Sequence, residues 1–261
     1  MKFYRITALL LKYWYISINR FDRLFDVFYW PLLDLVIWGF ASAYIQDISE
    51  YNLLSMFLGG IILWVFLWRA SQDIAVYVLE DFWSKNLYHL FSSPVTLTEH
   101  VTSIILVGFL RSLVTFAFLT FFAALLYQFN FFTLPFIFIG AAVFLLLLFG
   151  WFMGFLVVSL ILRYGQRIQV LAWSITWVIQ PFSCVFYPLS ALPAWAKPIA
   201  SVLPTTHIFE NLRSLLFQGV INWSSLGYSF CVELVLLFLG GWFLKKSFEH
   251  ARYSGLLAKS D

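Results

Sequence analysis

The residues most able to do chemistry in this chain are five charged side chains inside long apolar stretches. They are Asp34, Arg69, Asp73, Arg111 and Glu233. A charge facing lipid costs on the order of several kcal/mol, so each of the five is expected to have a partner. Arg69 and Asp73 are four residues apart and share a helical face, which predicts a cluster with Asp34. Matched depth predicts that Arg111 pairs with Glu233. Each group is either a structural ion pair or part of a substrate or proton pathway.

Motifs for nucleotide binding and hydrolysis are missing from the sequence. It contains no GxxxxGK[ST] loop, and no lysine follows a glycine, so the chain cannot hold nucleotide phosphates as a P-loop does. The histidines His89, His100, His207 and His250 lack the spacing of metal ligands, and there is no GxSxG elbow. We therefore expect no cofactor in this chain, and any ATP would be hydrolysed by another one.

The composition indicates that the elements positioning these charges lie in a membrane. The chain is 62% hydrophobic and 11% charged, with a mean hydropathy of +0.87. Soluble domains carry about 25% charged residues. The formal net charge of +3 is too small to indicate a nucleic-acid partner.

Apolar runs long enough to cross a bilayer predict an all-α integral membrane protein with six transmembrane helices. The runs cover residues 27–46, 53–78, 101–127, 135–162, 168–188 and 226–244. Residues 189–223 are cut by prolines and predict an external hairpin of two short helices, either re-entrant or interfacial. Gly150 and Gly154 form a GxxxG pattern, which arises easily by chance in apolar sequence.

The distribution of cations predicts the orientation. With the N-terminus inside, Lys197 and Arg213 are the only external cations outside the spans. The cytoplasmic segments then hold Lys2, Arg5, Lys12, Arg20, Arg23, Lys85, Arg163, Arg167, Lys245, Lys246, Arg252 and Lys259. Both termini are therefore expected to be cytoplasmic, in a multi-pass protein of the inner (plasma) membrane.

Residues 1–26 are expected to form a separate structural element ahead of the first span. The five cations of this segment fall in one sector of a helical projection, while Phe3, Leu10 and Trp14 face elsewhere. This predicts an amphipathic helix on the inner membrane surface, the alternative being an irregular basic leader.

Two stretches of sequence resemble ABC-2 type transporter permeases. The first, residues 79–95, is a polar connector with a short amphipathic helix and a Ser-Pro before the third span. Its notable residues are Glu80, Asp81, Asn86, Leu87, Leu90, Phe91 and Pro94. The second stretch, before the last span, contains an aromatic-Pro, a Pro-x-x-His and a Glu-x-x-Arg run. Its notable residues are Pro188, Pro193, Pro204, His207, Glu210 and Arg213.

The resemblance implies a transport subunit with a transmembrane domain over residues 27–261. It implies a separate ABC ATPase subunit that binds ATP and Mg, and a second permease, either an identical copy or a close relative. The family exports drugs, lipids and lipid-linked glycans, so we expect an amphipathic substrate on a route lined by the first two spans and the fifth. Membrane lipid is the other partner.

The resemblance also implies that residues 80–91 are the coupling helix. Leu87, Leu90 and Phe91 share one helical face, which we expect to enter an apolar groove of the ATPase, while Glu80, Asp81 and Lys85 stay polar. The alternative is a solvated connector. A secondary transporter or a membrane-embedded enzyme without a recognisable motif is the alternative function, although neither inverted repeats nor a nucleophile or metal set is visible.

Overall fold

The computed structural model describes residues 1–46 and 53–255, and this part of the chain is helical without strands. Lys259, one of the cations used for orientation, lies outside the described residues. The α-helices are α1 Phe3–Asn19, α2 Phe21–Gln46, α3 Leu53–Trp83, α4 Asn86–Ser92, α5 Leu97–Tyr127, α6 Phe136–Tyr164, α7 Leu171–Ile179, α8 Lys197–Val202, α9 Pro204–Gln218 and α10 Trp223–Tyr253.

Five of these helices are long and apolar enough to cross a membrane: α2, α3, α5, α6 and α10. They correspond to five of the six spans expected from hydropathy. Most extend beyond the apolar runs, because polar residues near the helix ends continue the helix. A capping box at Thr96 and Glu99, for example, starts α5 ahead of the expected residue 101.

The expectation of one continuous span over residues 168–188 is wrong. This segment contains the nine-residue α7, followed by a 3-10 turn over Gln180–Ser183. Pro181 has no N–H to donate, and Cys184 adopts a left-handed conformation with φ +55°, so an α-helix cannot continue here. The segment nevertheless follows α3 along its length. Trp173 stacks on Trp83 at one end of α3, and Val185 contacts Gly60 near the other.

Helix α3 is the centre of the bundle and is buried along most of its length. It packs against α2, α5, α6, α7 and α9. The two glycines of the GxxxG pattern allow α6 to approach it closely: a Cβ on Gly150 would lie 2.6 Å from the Cβ of Ala70, and one on Gly154 would lie 2.9 Å from that of Ile74. The pattern is therefore a close helix contact within this chain.

The bundle has two distinct ends, which we call the α4 end and the α9 end. At the α4 end, Arg163 of α6 donates to Ser247 of α10, and Phe91 packs on Phe248. At the α9 end, Ser229 of α10 donates to the carbonyl of Pro204. The last turn of α10 and the first helix α1 both lie at the α4 end.

Helix α1 ends at Asn19 rather than near residue 26, because Arg20 is extended and separates α1 from α2. Its buried side chains, Ile6, Leu9, Tyr13 and Ser17, recur every three or four residues and form one face. That face packs on α5, so α1 lies on the bundle as an amphipathic helix.

Candidate functional site

Helix α4 lies between α3 and α5, and its two faces differ sharply in exposure. Leu87 and Leu90 are only 2% and 9% exposed, whereas Tyr88 is 55% exposed and His89 is also exposed. The leucines therefore pack inside this chain, and the expectation that they enter a groove on another subunit is wrong. The exposed surface of α4 includes Tyr88, His89 and Ser92.

Asp81, at the end of α3, joins four helices through what we call the Asp81 cluster. Its carboxylate accepts hydrogen bonds from Lys12 Nζ at 2.5 Å and Tyr13 OH at 2.5 Å, both on α1. It also accepts from Asn86 Nδ2 of α4 at 2.9 Å and lies 3.2 Å from His100 Nε2 of α5. Asn86 is the first residue of α4, so a movement of α4 would pull directly on Asp81.

The chemistry of the Asp81 cluster favours a fixed arrangement. Burial raises the pKa of the Tyr13 phenol far above its usual range, and the neighbouring Asp81 carboxylate adds to the shift. Tyr13 therefore remains protonated and continues to donate to Asp81. This contact holds α1 on the α4 end of the bundle.

Glu80 belongs to a second contact between the first helices and α3. Its Oε1 lies 2.6 Å from Arg23 Nη2 and 2.9 Å from Arg20 Nη1. Glu80 and Asp81, which were expected on the polar side of this segment, are only 9% and 3% exposed. The reason is that basic residues of α1 and the start of α2 lie across the end of α3 and cover both carboxylates.

The remaining motif residues of this stretch hold its neighbours in place. The Pro94 carbonyl accepts a hydrogen bond from Arg5 of α1. Phe91 packs edge-on against the His100 ring and the Phe248 ring, with centroids 5.5 Å and 4.5 Å away. Phe91 thus connects α4 to both α5 and α10.

Two arginines and two aspartates form an ion cluster inside the bundle. Asp26 Oδ2 lies 2.6 Å from Arg69 Nη1 and 3.6 Å from Arg111 Nη2. Asp73 Oδ1 lies 2.6 Å from Arg111 Nη1 and 3.8 Å from Arg69 Nη1. Tyr77 also accepts from Arg111, at 3.2 Å. We call Asp26, Arg69, Asp73 and Arg111 the ion cluster; its formal charges cancel.

The expected place of Asp34 in this cluster is taken by Asp26. Helix α2 begins at Phe21, so Asp26 is part of the spanning helix rather than of the surface helix before it. Asp34 lies two turns further along α2, half-buried, and forms no ion pair with the described residues.

The expected pair of Arg111 and Glu233 does not form. Arg111 lies at the middle of α5 and reaches Asp73, whereas Glu233 lies in the first third of α10, which packs mainly on α6 and α9. Both oxygens of Glu233 are buried, and no described residue gives either a hydrogen bond. Counting residues along a helix gives depth but not the direction that a side chain faces.

The proline-rich hairpin brings its motif residues together at the α9 end. Glu210 Oε1 accepts from Arg213 Nη1 at 2.6 Å and from the backbone of Leu189 at 2.7 Å. Arg213 Nη2 donates to the carbonyl of Cys184, and His207 lies 3.1 Å from Ser225 Oγ of α10. Three of the prolines mark where turns and helices begin: Pro188 precedes the turn Leu189–Ala191, Pro193 precedes α8, and Pro204 starts α9.

A tryptophan-lined cavity of about 390 Å³ was not foreseen from the sequence. It opens between α2, α3 and α7. Its lining is Asp26, Trp30, Trp68, Gln72, Trp173 and Trp177. Trp30, Trp173 and Trp177 are 53%, 38% and 47% exposed. The high tryptophan content was the only signal in the sequence, and it does not indicate which rings meet. Because Asp26 is one of the lining residues, the cavity adjoins the ion cluster.

A comparison with protein families decides the relationship of this chain to known proteins. The profile described as ABC-2 family transporter protein matches residues 41–243. This chain belongs to the ABC-2 family. It is a multi-pass membrane permease, and the match includes α3 to α9 and most of α10. Among curated proteins, no sequence matches this permease.

Proposed function

We propose that this permease is the membrane half of an ATP-driven exporter and that α4 is its coupling helix. The observation that carries the proposal is the construction of α4. One face is anchored in the bundle by Leu87 and Leu90, and its first residue bonds to Asp81. The opposite face presents Tyr88 and His89 to a partner. A force applied to that face would reach α1, α3 and α5 through one carboxylate.

The ATP and Mg would be bound by a separate ABC ATPase subunit, because this chain lacks a P-loop. Two permeases, identical or closely related, would each carry one ATPase at the α4 end. The substrate would cross between them.

The tryptophan-lined cavity supports a route along α2, α3 and α7. These elements correspond to the first two spans and the fifth, which the sequence suggested for this role. Wide aromatic surfaces with a carboxylate and an amide, Asp26 and Gln72, suit a molecule that is partly apolar and partly polar. The proposed substrate is therefore amphipathic: a drug, a lipid or a lipid-linked glycan.

We also propose six membrane crossings with both termini in the cytoplasm. The contacts of residues 169–186 with both ends of α3 support a sixth crossing made of α7 and 3-10 turns. Helix α9 packs on Trp64, eleven residues into α3 and about 16 Å from its start, which supports a re-entrant hairpin. The cation bias supports the orientation in the inner membrane.

Co-purification tests the function. Affinity purification of the permease in mild detergent is expected to recover an ABC ATPase without spans of its own, at one copy per permease. Vesicles containing the pair should hydrolyse ATP and move amphipathic substrate. A permease that purifies without any ATPase, and moves substrate on an ion gradient alone, would replace this proposal with a secondary transporter.

Cysteine labelling tests the orientation. In a background with the exposed native thiol removed by Cys231→Ser, Ser84→Cys is expected to react with an impermeant maleimide only after the membrane is opened. Lys197→Cys should react in intact cells. The reverse pattern would place the α4 end outside and exclude ATP coupling through α4.

A further inference from the structure

A groove of about 500 Å³ lies between the start of α5 and the end of α10, with Phe155 of α6 in its lining. It is separate from the tryptophan-lined cavity. The two helices run antiparallel here, so the first turns of α5 face the last turns of α10.

The lining of this groove changes from apolar to charged along its length. Toward the middle of the bundle it consists of Val101, Ile105, Phe155 and Leu244. From Gly241 to Arg252 the groove follows α10 for about 16 Å, close to half of a bilayer core about 30 Å thick. An apolar depth with a polar mouth is the shape that a phospholipid requires.

The mouth carries two cations and one carboxylate: Lys245, Arg252 and Glu249. Lys245 and Arg252 are seven residues apart, so they lie on the same face of α10 two turns from each other. Neither forms an ion pair with an acidic residue in the described part of the chain. The hydroxyl of Thr98 lines the mouth from α5.

We propose that this groove binds one anionic phospholipid. Its phosphate lies at the mouth with Lys245, Arg252 and Thr98, and an acyl chain follows Val101 and Ile105 toward the membrane centre. The net positive mouth favours an anionic over a zwitterionic headgroup. A free anion would leave the apolar length of the groove unused. The inference depends on membrane insertion but not on ATP coupling or on the direction of transport.

Native mass spectrometry of the purified permease in an equimolar mixture of phosphatidylglycerol and phosphatidylcholine tests the charged mouth. The wild type is expected to retain one phosphatidylglycerol per chain. In Lys245→Gln/Arg252→Gln its affinity should fall about 25-fold, since each cation contributes about fivefold. The control Lys85→Gln/Lys246→Gln removes two exposed cations at the same end and should retain the lipid.

Filling the groove without changing charge tests its apolar length. A Cβ on Gly241 or on Gly227 of α10 meets no atom within 4 Å, so a side chain can start from either position without a clash at its Cβ. Gly241→Leu occupies the groove and should lose the retained phosphatidylglycerol, whereas Gly227→Leu, at the α9 end, should keep it.

Three results would overturn the lipid site. The first is that the groove variants retain as much phosphatidylglycerol as their controls. The second is that the permease does not prefer phosphatidylglycerol to phosphatidylcholine. The third is that millimolar inorganic phosphate displaces the bound lipid. The last would reassign the mouth to free anions. All of them leave the ATPase co-purification test unaffected.

Discussion

Arg111→Ala is expected to lower the stability of the permease by about 3–5 kcal/mol, because it leaves the ion cluster with one uncompensated buried negative charge and leaves Asp73 with only the longer contact to Arg69, at 3.8 Å. Arg111 Nη1 lies 2.6 Å from Asp73 Oδ1, and the two side chains are 4% and 1% exposed. In a thermal unfolding scan in mild detergent, the melting temperature should fall by roughly 10 °C.

A double-mutant cycle assigns this loss to the correct partner. Arg111→Ala combined with Asp73→Ala should lose less than the sum of the two single losses, because both charges are removed together. Arg111→Ala combined with Glu233→Gln should be additive, since the two residues do not meet. Glu233→Gln alone should be neutral or stabilising, because its carboxylate has no described partner. The ion cluster would be refuted if the stability losses of Arg111→Ala and Asp73→Ala simply added while those of Arg111→Ala and Glu233→Gln did not.

The sequence was a good guide to helices and a poor guide to side-chain partners. Five of the spans and the hairpin follow from apolar runs and prolines, which act locally along the chain. The choice between Asp26 and Asp34 as partner of Arg69 depends on which way α2 is turned toward α3. That rotation is set by packing over the whole bundle, and no local pattern encodes it.

The same limit applies to α7 and to the tryptophan-lined cavity. An apolar run over residues 168–188 satisfies a hydropathy window whether the backbone is one helix or a short helix and turns. Gln180–Pro181 was the local sign of a break, but Gly165, with φ +73°, and Cys184 bend the chain as well. Trp30, Trp68 and Trp173 are far apart in sequence, so only the fold brings them to one cavity.

For α4, periodicity identified the correct face but not its environment. Spacings of three and four group Leu87 with Leu90, and both the interior of this chain and a groove on a partner would bury such a pair. The structure places the pair in the interior of this chain, with Tyr88 facing outward. The hydrogen bond from Asn86 to Asp81 holds the start of α4 in this position.

Two substitutions on neighbouring residues of α4 are therefore expected to fail in different ways. Leu87→Asp places a carboxylate in the core and should destabilise the permease itself by several kcal/mol, on the order of 3, before any partner is involved. Tyr88→Asp changes a side chain that is 55% exposed and should leave the melting temperature unchanged. It should instead reduce the amount of co-purified ATPase at least tenfold, because exposed tyrosines are frequent anchors of interfaces.

Tyr253→Asp is the matched control for this last pair, since Tyr253 is 82% exposed and lies at the same end of the bundle on α10. It should change neither the melting temperature nor the recovered ATPase. Melting scans and ATPase recovery on all three variants separate folding from docking. A stable Leu87→Asp that releases the ATPase, beside a Tyr88→Asp that retains it, would mean that the leucine face of α4 meets the partner. In that case α4 must rotate out of the bundle when the ATPase binds, breaking the Asn86–Asp81 hydrogen bond.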